Sequence, residues 1–449
     1  MTVERAASRV LRVFFKLGRF DPKSANPYRQ LPYSTIGSVA HRAIARQAAA
    51  EATVLLENER NALPMDLKKV TGVAIIGPSA DANEDPNETL LNNCGDYSNC
   101  NYCQPNHTVT ITRGILNHLV AAGSKLNVFT AKGCNHNDTN TSGFAVALAA
   151  ARNPKVSHVV LAVGLSGTLE GEGNDLLPSR FPIGKLWSGL PGVQMQLVEQ
   201  IAALGKVTIL ILVSGGSISL PPNPAIHATL HALYPGVEAG NGIADLLFGS
   251  VSPASRLPMS IPKHVSQLPD YLNFSMVAEP YGRSYAWLKG AGSEQAYEYA
   301  AGLSYSQFKY HALIIEKAAG GSDDVNIRVS VTNVGLENGW TAPTDEVLLV
   351  FAAWDVTGQG FSGRVPVRQL VAFARLRQVA PKETRTWTTT VLAKHYALVN
   401  STGDRVLPAG RVTFFVGGHQ PTAASDTAAG TTCLNATLST AARKSTSSD

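Results

Sequence analysis

Five apolar runs, set apart by helix-length segments, constrain this chain more than any other feature. They are Val70-Thr-Gly-Val-Ala-Ile-Ile-Gly77, a run near Leu126–Thr130, Ser157-His-Val-Val-Leu-Ala-Val-Gly164, Val207-Thr-Ile-Leu-Ile-Leu-Val-Ser214 and Ala228–Tyr234. A strand with one wet face alternates apolar and polar residues, whereas a strand covered on both faces reads as unbroken apolar sequence. Helical patterns lie between and after these runs, near Arg113–Ala122, Phe144–Arg152, Gln194–Leu204 and Gly240–Phe248, and an Ala-rich helical pattern over about 36–59 precedes them. This alternation predicts an α/β fold, an open αβα sandwich with a mostly parallel sheet, over residues 41–260.

The pattern then changes. Residues 261–309 are rich in Pro, Gly, Ser and Tyr, with little periodicity, and read as a linker packed on the sandwich. From 310 to 420 short alternating runs follow: Val325-Asn-Ile-Arg-Val-Ser-Val-Thr-Asn, Glu346-Val-Leu-Leu-Val-Phe, Thr386-Trp-Thr-Thr-Thr-Val and Arg411-Val-Thr-Phe-Phe-Val-Gly. They predict an all-β antiparallel sandwich. Residues 421–449, rich in Ser, Thr and Ala, read as a disordered tail. At the other end, residues 1–40 open with an amphipathic helix that sets Val10, Val13, Phe14 and Leu17 on one face. A length of 449 residues suits two or three such units.

Composition removes several function classes. With 44% apolar and 16% charged residues the chain is not disordered. A net charge of +5, spread along the sequence, is too weak to imply nucleic acid. No stretch of about 18 uncharged apolar residues occurs, so no membrane span is expected. There is no GxxxxGK[ST] loop, no GxGxxG after the first strand and no GxSxG elbow. The eleven histidines show no metal spacing, and no cofactor is implied.

Compartment signals conflict. Seven Asn-X-Ser/Thr triplets, starting at Asn87, Asn106, Asn137, Asn140, Asn273, Asn400 and Asn435, favour a secreted or lysosomal protein. Cys94, Cys100 and Cys103 lie close together and read as a local disulfide with one cysteine over, zinc being the alternative. Yet the charged residues dispersed from Glu4 to Arg19 leave no apolar core for a signal peptide.

The most informative stretch for chemistry follows the third run: Gly164-Leu-Ser-Gly-Thr-Leu-Glu170-Gly-Glu172-Gly-Asn-Asp175. Ligands of open parallel sheets sit at the carboxyl ends of the strands. Carboxylates among glycines at such a point can act as acid/base groups, and the glycines let backbone approach a ligand closely.

Several motifs then align in one order. Arg9-Val-Leu-Arg-Val-Phe-Phe-Lys-Leu-Gly-Arg-Phe-Asp21, Ala50-Glu-Ala-Thr-Val-Leu-Leu-Glu-Asn-Glu59 with Leu63-Pro64, and Ile76-Gly-Pro-Ser-Ala-Asp81 come first. Tyr234-Pro-Gly-Val-Glu-Ala-Gly240, Ala244-Asp-Leu-Leu-Phe-Gly249, Arg256-Leu-Pro258, Gly282-Arg-Ser-Tyr285, Gly302-Leu-Ser-Tyr305 and Val331-Thr-Asn-Val-Gly335 follow. With these the chain resembles glycoside hydrolase family 3, in its β-xylosidase and β-glucosidase branches, from about residue 5 to 420. The resemblance implies that residues 310–420 form the family's fibronectin-type-III-like domain, and that the family's N-terminal TIM barrel is missing.

It also implies a retaining mechanism with two carboxylates, one a nucleophile from the barrel and one a Glu of the sandwich domain acting as general acid/base. Glu172 is the favoured acid/base and Glu170 the alternative. The expected function is hydrolysis of terminal β-linked xylose or glucose from oligosaccharides. The barrel would be supplied by another chain or encoded upstream of the start codon, and the lost signal peptide would follow from the same truncation. The alternative is a non-catalytic relative acting as a carbohydrate-binding or interaction module. Two departures from the family pattern stand out beside the missing barrel: no Arg follows Asp175, and an insertion runs on to Leu190-Pro-Gly-Val-Gln194.

Overall fold

The computed structural model describes residues 2–81, 108–170, 189–270, 272–277, 282–288, 295–335, 340–356, 361–421, 433–441 and 443–444. Cys94, Cys100, Cys103, Glu172 and Asp175 lie outside the described residues. Two compact units divide the chain, Met1–Ala45 and Arg46–Asp449. In the first, helix α1 (Val3–Lys16) buries none of its side chains, and Phe14 and Phe15 meet the ring of Phe20 at 6.2 and 4.7 Å.

The second unit begins within helix α2 (Val39–Ala52) and contains a six-stranded sheet. Its strands are β1 (Val54–Asn58), β2 (Gly72–Ile76), β3 (Asn127–Ala131), β4 (His158–Gly164), β5 (Val207–Val213) and β6 (Ala228–Leu233), in the order β1-β6-β5-β4-β2-β3. All neighbours pair in parallel except β1, which runs antiparallel to β6 at the edge. This is the expected α/β sandwich. The helical pattern expected over 36–59, however, stops at Ala52. Thr53 and Val54 are β-branched and suit a strand, and Val54, Leu55 and Leu56 are buried where β1 extends the sheet.

Period-two alternation divides each strand between two cores. Val73, Ile75, Val160, Ala162, Ile209, Ile211 and Val213 face one side. Ala74, Ile76, Val159, Leu161, Val163, Leu210 and Leu212 face the other. Helices α3 (Ile111–Ala121) and, later in the chain, α7 (Ala239–Leu247) supply apolar side chains to the first core, and α4 (Phe144–Arg152) and α6 (Gln194–Ala202) to the second. A short helix, α5 (Gly167–Glu170), follows β4. Helices α3 and α7 touch through glycines: a Cβ on Gly114 would stand 1.9 Å from the carbonyl carbon of Gly240.

The β-sandwich that follows pairs a three-stranded sheet with a four-stranded one. The first holds β7 (Gln307–Lys317), β8 (Val325–Gly335) and β11 (Thr384–Val391) in the order β11-β8-β7. The second holds β9 (Thr344–Asp355), β10 (Gln369–Val379), β12 (Gly410–Gly417) and β13 (Cys433–Thr440) in the order β10-β9-β12-β13. Strand β13 corrects the expectation of a disordered tail. Leu434 and Leu438 pack against the sandwich core, while Asn435 and Thr437 point outward. Polar composition there reflects one wet face, not disorder.

Buried polar contacts join the sandwich to the α/β domain. Arg256 donates to Glu346 at 3.1 Å and to the carbonyl of Gly418 at 2.7 Å, and Tyr310 donates to Glu346 at 2.7 Å. Nearer α2, Arg375 and Arg377 each bridge Glu51 and Asp345. Tyr305, fully buried, donates its hydroxyl to the carbonyl of Leu246 at 2.7 Å.

Candidate active site

Strands β3 and β4 lie on opposite sides of β2, so the chain reverses its direction of travel across the sheet between β2 and β4. In open α/β sheets this switch point, at the carboxyl ends of the strands, is where ligands bind. Two motifs arrive there. Ile76-Gly-Pro-Ser-Ala-Asp81 leaves β2, and the acidic loop leaves β4.

The first motif is built for packing. Gly77 has φ of +121°, and a Cβ on it would stand 1.9 Å from the carbonyl oxygen of Ala162 on β4. Ser79 is buried, and its hydroxyl lies 3.0 Å from Nε2 of buried His136.

The second motif begins firmly held. Leu165 donates its N–H to the carbonyl of Val213, extending the β4–β5 pairing by one residue. Leu165, Ser166 and Leu169 are buried, which leaves the last residue of α5, Glu170, at the surface of the sheet end. Buried Gln194 closes the far side. Its amide accepts from the N–H of Gly164 at 2.9 Å and donates to the carbonyls of Gly164 at 2.9 Å and His136 at 2.8 Å. This gives the Leu190-Pro-Gly-Val-Gln194 motif a physical role, since its last side chain grips the end of β4.

Glu170 meets donors from two further strands. The N–H groups of Gly215 and Gly216, just beyond β5, donate to its two carboxylate oxygens at 2.5 and 2.8 Å. The hydroxyl of Tyr234, just beyond β6, donates to the same oxygen as Gly215. Tyr234 is aimed there by an irregularity in β6. Leu212 pairs with His231 but Val213 pairs with Leu233, so Ala232 is an extra residue, and Leu233 takes φ of +55°. A bulge and a left-handed leucine are unfavourable locally and re-aim the next side chain.

Beneath the glycine pair, Ser214 and His231 are buried and 3.0 Å apart, and the Ser214 hydroxyl donates to the carbonyl of Gly216 at 2.8 Å. Burial pushes His231 down to about 4, so its imidazole is neutral at ordinary pH. Glu170 is thus held at the carboxyl ends of β5 and β6, on the side of β4 away from β2, and Glu172, two residues on, lies outside the described residues. Tyr234 and Gln194 stand in quoted motifs that assign them no task, and Gly215 and Gly216 stand in none. The sequence signal for the glycine part of the cradle is a Gly-Gly pair directly after an apolar strand.

A separate cavity of about 530 Å³ shares no lining residue with this cluster. It lies beside β5 and β6, where residues 214–227 connect the two strands without a helix. Its walls include Leu210, Leu212 and Ile218. Glu57 in its lining accepts from Thr229 at 3.0 Å and from Tyr297 at 2.6 Å. Among the described residues no cluster of His, Cys, Asp and Glu could hold a metal ion, and no helix is long and apolar enough to cross a membrane.

Residues 53–305 match the glycosyl hydrolase family 3 C-terminal domain, and residues 346–420 match a fibronectin type III-like domain. A β-xylosidase of Formosa agariphila is 30% identical over 421 residues, covering 92% of this chain and 53% of that protein. A probable exo-1,4-β-xylosidase of Aspergillus fumigatus is 31% identical over 438 residues, covering 92% and 51%. Among solved structures, an exo-β-xylosidase bound to a xylobiose aziridine probe superposes with a TM-score of 0.77 at 23% identity, over 98% of this chain and 54% of that one. A β-glucosidase from Erythrobacter marinus superposes with a TM-score of 0.72 at 25% identity, over 97% and 55%. The chain spans about half the length of the curated relatives it matches.

Proposed function

Because the chain belongs to glycosyl hydrolase family 3, we propose that it supplies the general acid/base half of a retaining β-glycosidase that removes terminal β-linked xylose, or glucose, from oligosaccharides. Glu172 is the acid/base. It protonates the leaving glycosidic oxygen and then, as carboxylate, activates the water that hydrolyses the glycosyl-enzyme. The nucleophile is a second carboxylate on a barrel outside this sequence, brought to about 5–5.5 Å from the first. Xylose is the favoured sugar because the relatives named above from Formosa agariphila and Aspergillus fumigatus are β-xylosidases.

The observation that carries this reading is the placement of Glu170. It follows β4 and is held at the carboxyl ends of β5 and β6, the end of the sheet at which open α/β folds bind ligands. Hydrolysis of aryl β-xylosides and β-glucosides by the chain together with its barrel tests the activity. Glu172→Gln tests the role. The expected result is a loss of about a hundredfold or more with leaving groups that need protonation, and a smaller loss with activated ones. Activity unchanged in Glu172→Gln would sink the assignment.

We also propose secretion. Asn137, Asn140, Asn273 and Asn435, each the start of a sequon, are exposed. Expression in a secretory eukaryotic host followed by enzymatic deglycosylation should lower the apparent mass, and no change would count against this compartment.

A further inference from the structure

We propose that the cavity beside β5 and β6 binds a neutral amphipathic molecule with an apolar body and two adjacent hydroxyls at one end. The site owes nothing to the acid/base role given to Glu172 above.

The cavity exists because residues 214–227, between β5 and β6, form no helix. A helix there would cover Leu210 and Leu212 of β5. Instead Ile218, Ile226 and the Pro221-Pro222 pair surround them and leave about 530 Å³. Small-molecule sites are usually pockets of about 300–1,000 Å³, mostly apolar, with a few convergent polar groups. A second wall comes from later in the chain, where Ile261 pairs with Tyr297 and Pro262 with Gln295. The side chain of Gln267 accepts from the N–H groups of Lys263 and His264 at 2.7 and 3.1 Å, which fixes both residues in that wall.

The polar end of the cavity is built around Glu57 at the far end of β1. Its Oε1 accepts from the Tyr297 hydroxyl at 2.6 Å and its Oε2 from the Thr229 hydroxyl at 3.0 Å. Burial and the neighbouring carboxylate push the Tyr297 phenol up, so it stays a neutral donor. A carboxylate offers about four acceptor positions over its two oxygens. Each oxygen of Glu57 therefore has room for one more donor, and two hydroxyls on adjacent carbons can fill both. Such bonds are charge-assisted and strong. Glu57 and Lys263 bring opposite charges to the same lining, so neither an anion nor a cation is favoured over a neutral molecule. The leucine, isoleucine and proline walls then take the apolar body.

Calorimetric titration of this chain tests the site with two diols from different sources. Phenyl 1-thio-β-D-xyloside carries its adjacent hydroxyls on a sugar, and 4-tert-butylcatechol carries them on an aromatic ring. D-xylose lacks the apolar body and toluene lacks the hydroxyls. At least one diol should bind about tenfold or more tightly than D-xylose and toluene. Glu57→Gln keeps the side-chain shape but turns one acceptor into a donor, and should weaken that diol about tenfold or more. Leu220→Trp, at a half-buried position in the lining, fills the cavity with an indole and should weaken it as much.

Absence of binding by both diols would overturn the proposal. So would D-xylose or toluene binding as tightly as the better diol, or binding unchanged in either folded variant. Circular dichroism checks the fold, and if Glu57→Gln does not fold, Leu220→Trp decides alone. The diol that binds tells whether a glycoside or a phenol is the natural class. Glu172→Gln at wild-type activity defeats only the glycosidase reading and leaves these titrations as they are.

Discussion

The side-chain amide of Gln194 grips Gly164 in both directions, accepting from its N–H and donating to its carbonyl, each at 2.9 Å. A third bond runs from the same amide to the carbonyl of His136. One buried glutamine therefore ties the end of β4, the start of α6 and the segment after β3 into one corner. This corner carries the acidic loop.

Replacing Gln194 with Leu leaves the Gly164 N–H and the His136 carbonyl buried without this partner. Each such group costs roughly 1–3 kcal/mol, so a destabilisation of about 3 kcal/mol or more is expected. Urea unfolding of the chain measures it, and a change below about 1 kcal/mol would show that water or a backbone shift replaces the amide.

Arg256 and Glu346 form an ion pair at 3.1 Å with side-chain exposures of 10% and 4%. Removing one partner of such a pair costs about 3–5 kcal/mol, because the other charge stays buried. Arg256→Met should show this in a denaturant titration. The double variant Arg256→Met, Glu346→Leu should cost less than Arg256→Met alone, which identifies the stranded carboxylate as the cause.

Stability should fall on acidification through His231. Its folded pKa lies at about 4, below the ordinary 6.5, because burial opposes the charged imidazolium. The unfolded chain therefore binds a proton that the folded chain refuses between about pH 6.5 and 4. The stability this residue contributes is fully present above pH 6.5 and is lost progressively as pH drops through that window. The loss approaches about 3 kcal/mol at the lower end. His231→Gln should flatten this part of the stability–pH curve, and an imidazole titration midpoint near 6.5 in the folded protein would refute the prediction.

The buried thiol of Cys134 should be chemically silent. Burial pushes it up to about 12, with Asp138 adding to the effect, so almost no thiolate exists near neutrality. Iodoacetamide at pH 8 should label Cys134 only after denaturant is added, as read by peptide mass spectrometry. Prompt labelling of the folded chain would contradict its burial.

The α/β domain was legible because both faces of its sheet are covered. Helix α4 spans Phe144–Arg152 as its pattern indicated, and strands β2 to β6 fall within about two residues of their expected bounds. The exceptions have physical causes. Alanines favour helix up to Ala52, but Val54 and Leu55 gain more by pairing with β6 than by continuing α2. Strand β13 looked like tail because half of its residues face water. The candidate site was legible only as a loop. Glu170 stood in it beside Glu172, but its partners Gly215, Gly216 and Tyr234 lie 45, 46 and 64 residues further along. No local pattern records a contact assembled by three strands. Gln194 is the last letter of a motif, but the groups that give it its task, on Gly164 and His136, lie 30 and 58 residues earlier.

The acidic loop is fastened at both ends, by Glu170 on the glycine pair and by Gln194 on Gly164. Neither fastening uses a residue between 171 and 188, so the strand ends keep these hydrogen bonds whatever sequence joins them. The entropic cost of closing a chain segment grows only with the logarithm of its length, about 0.6 kcal/mol for each doubling. Length is therefore inexpensive to change at this point of the chain, and the sheet need not be rebuilt to accommodate it.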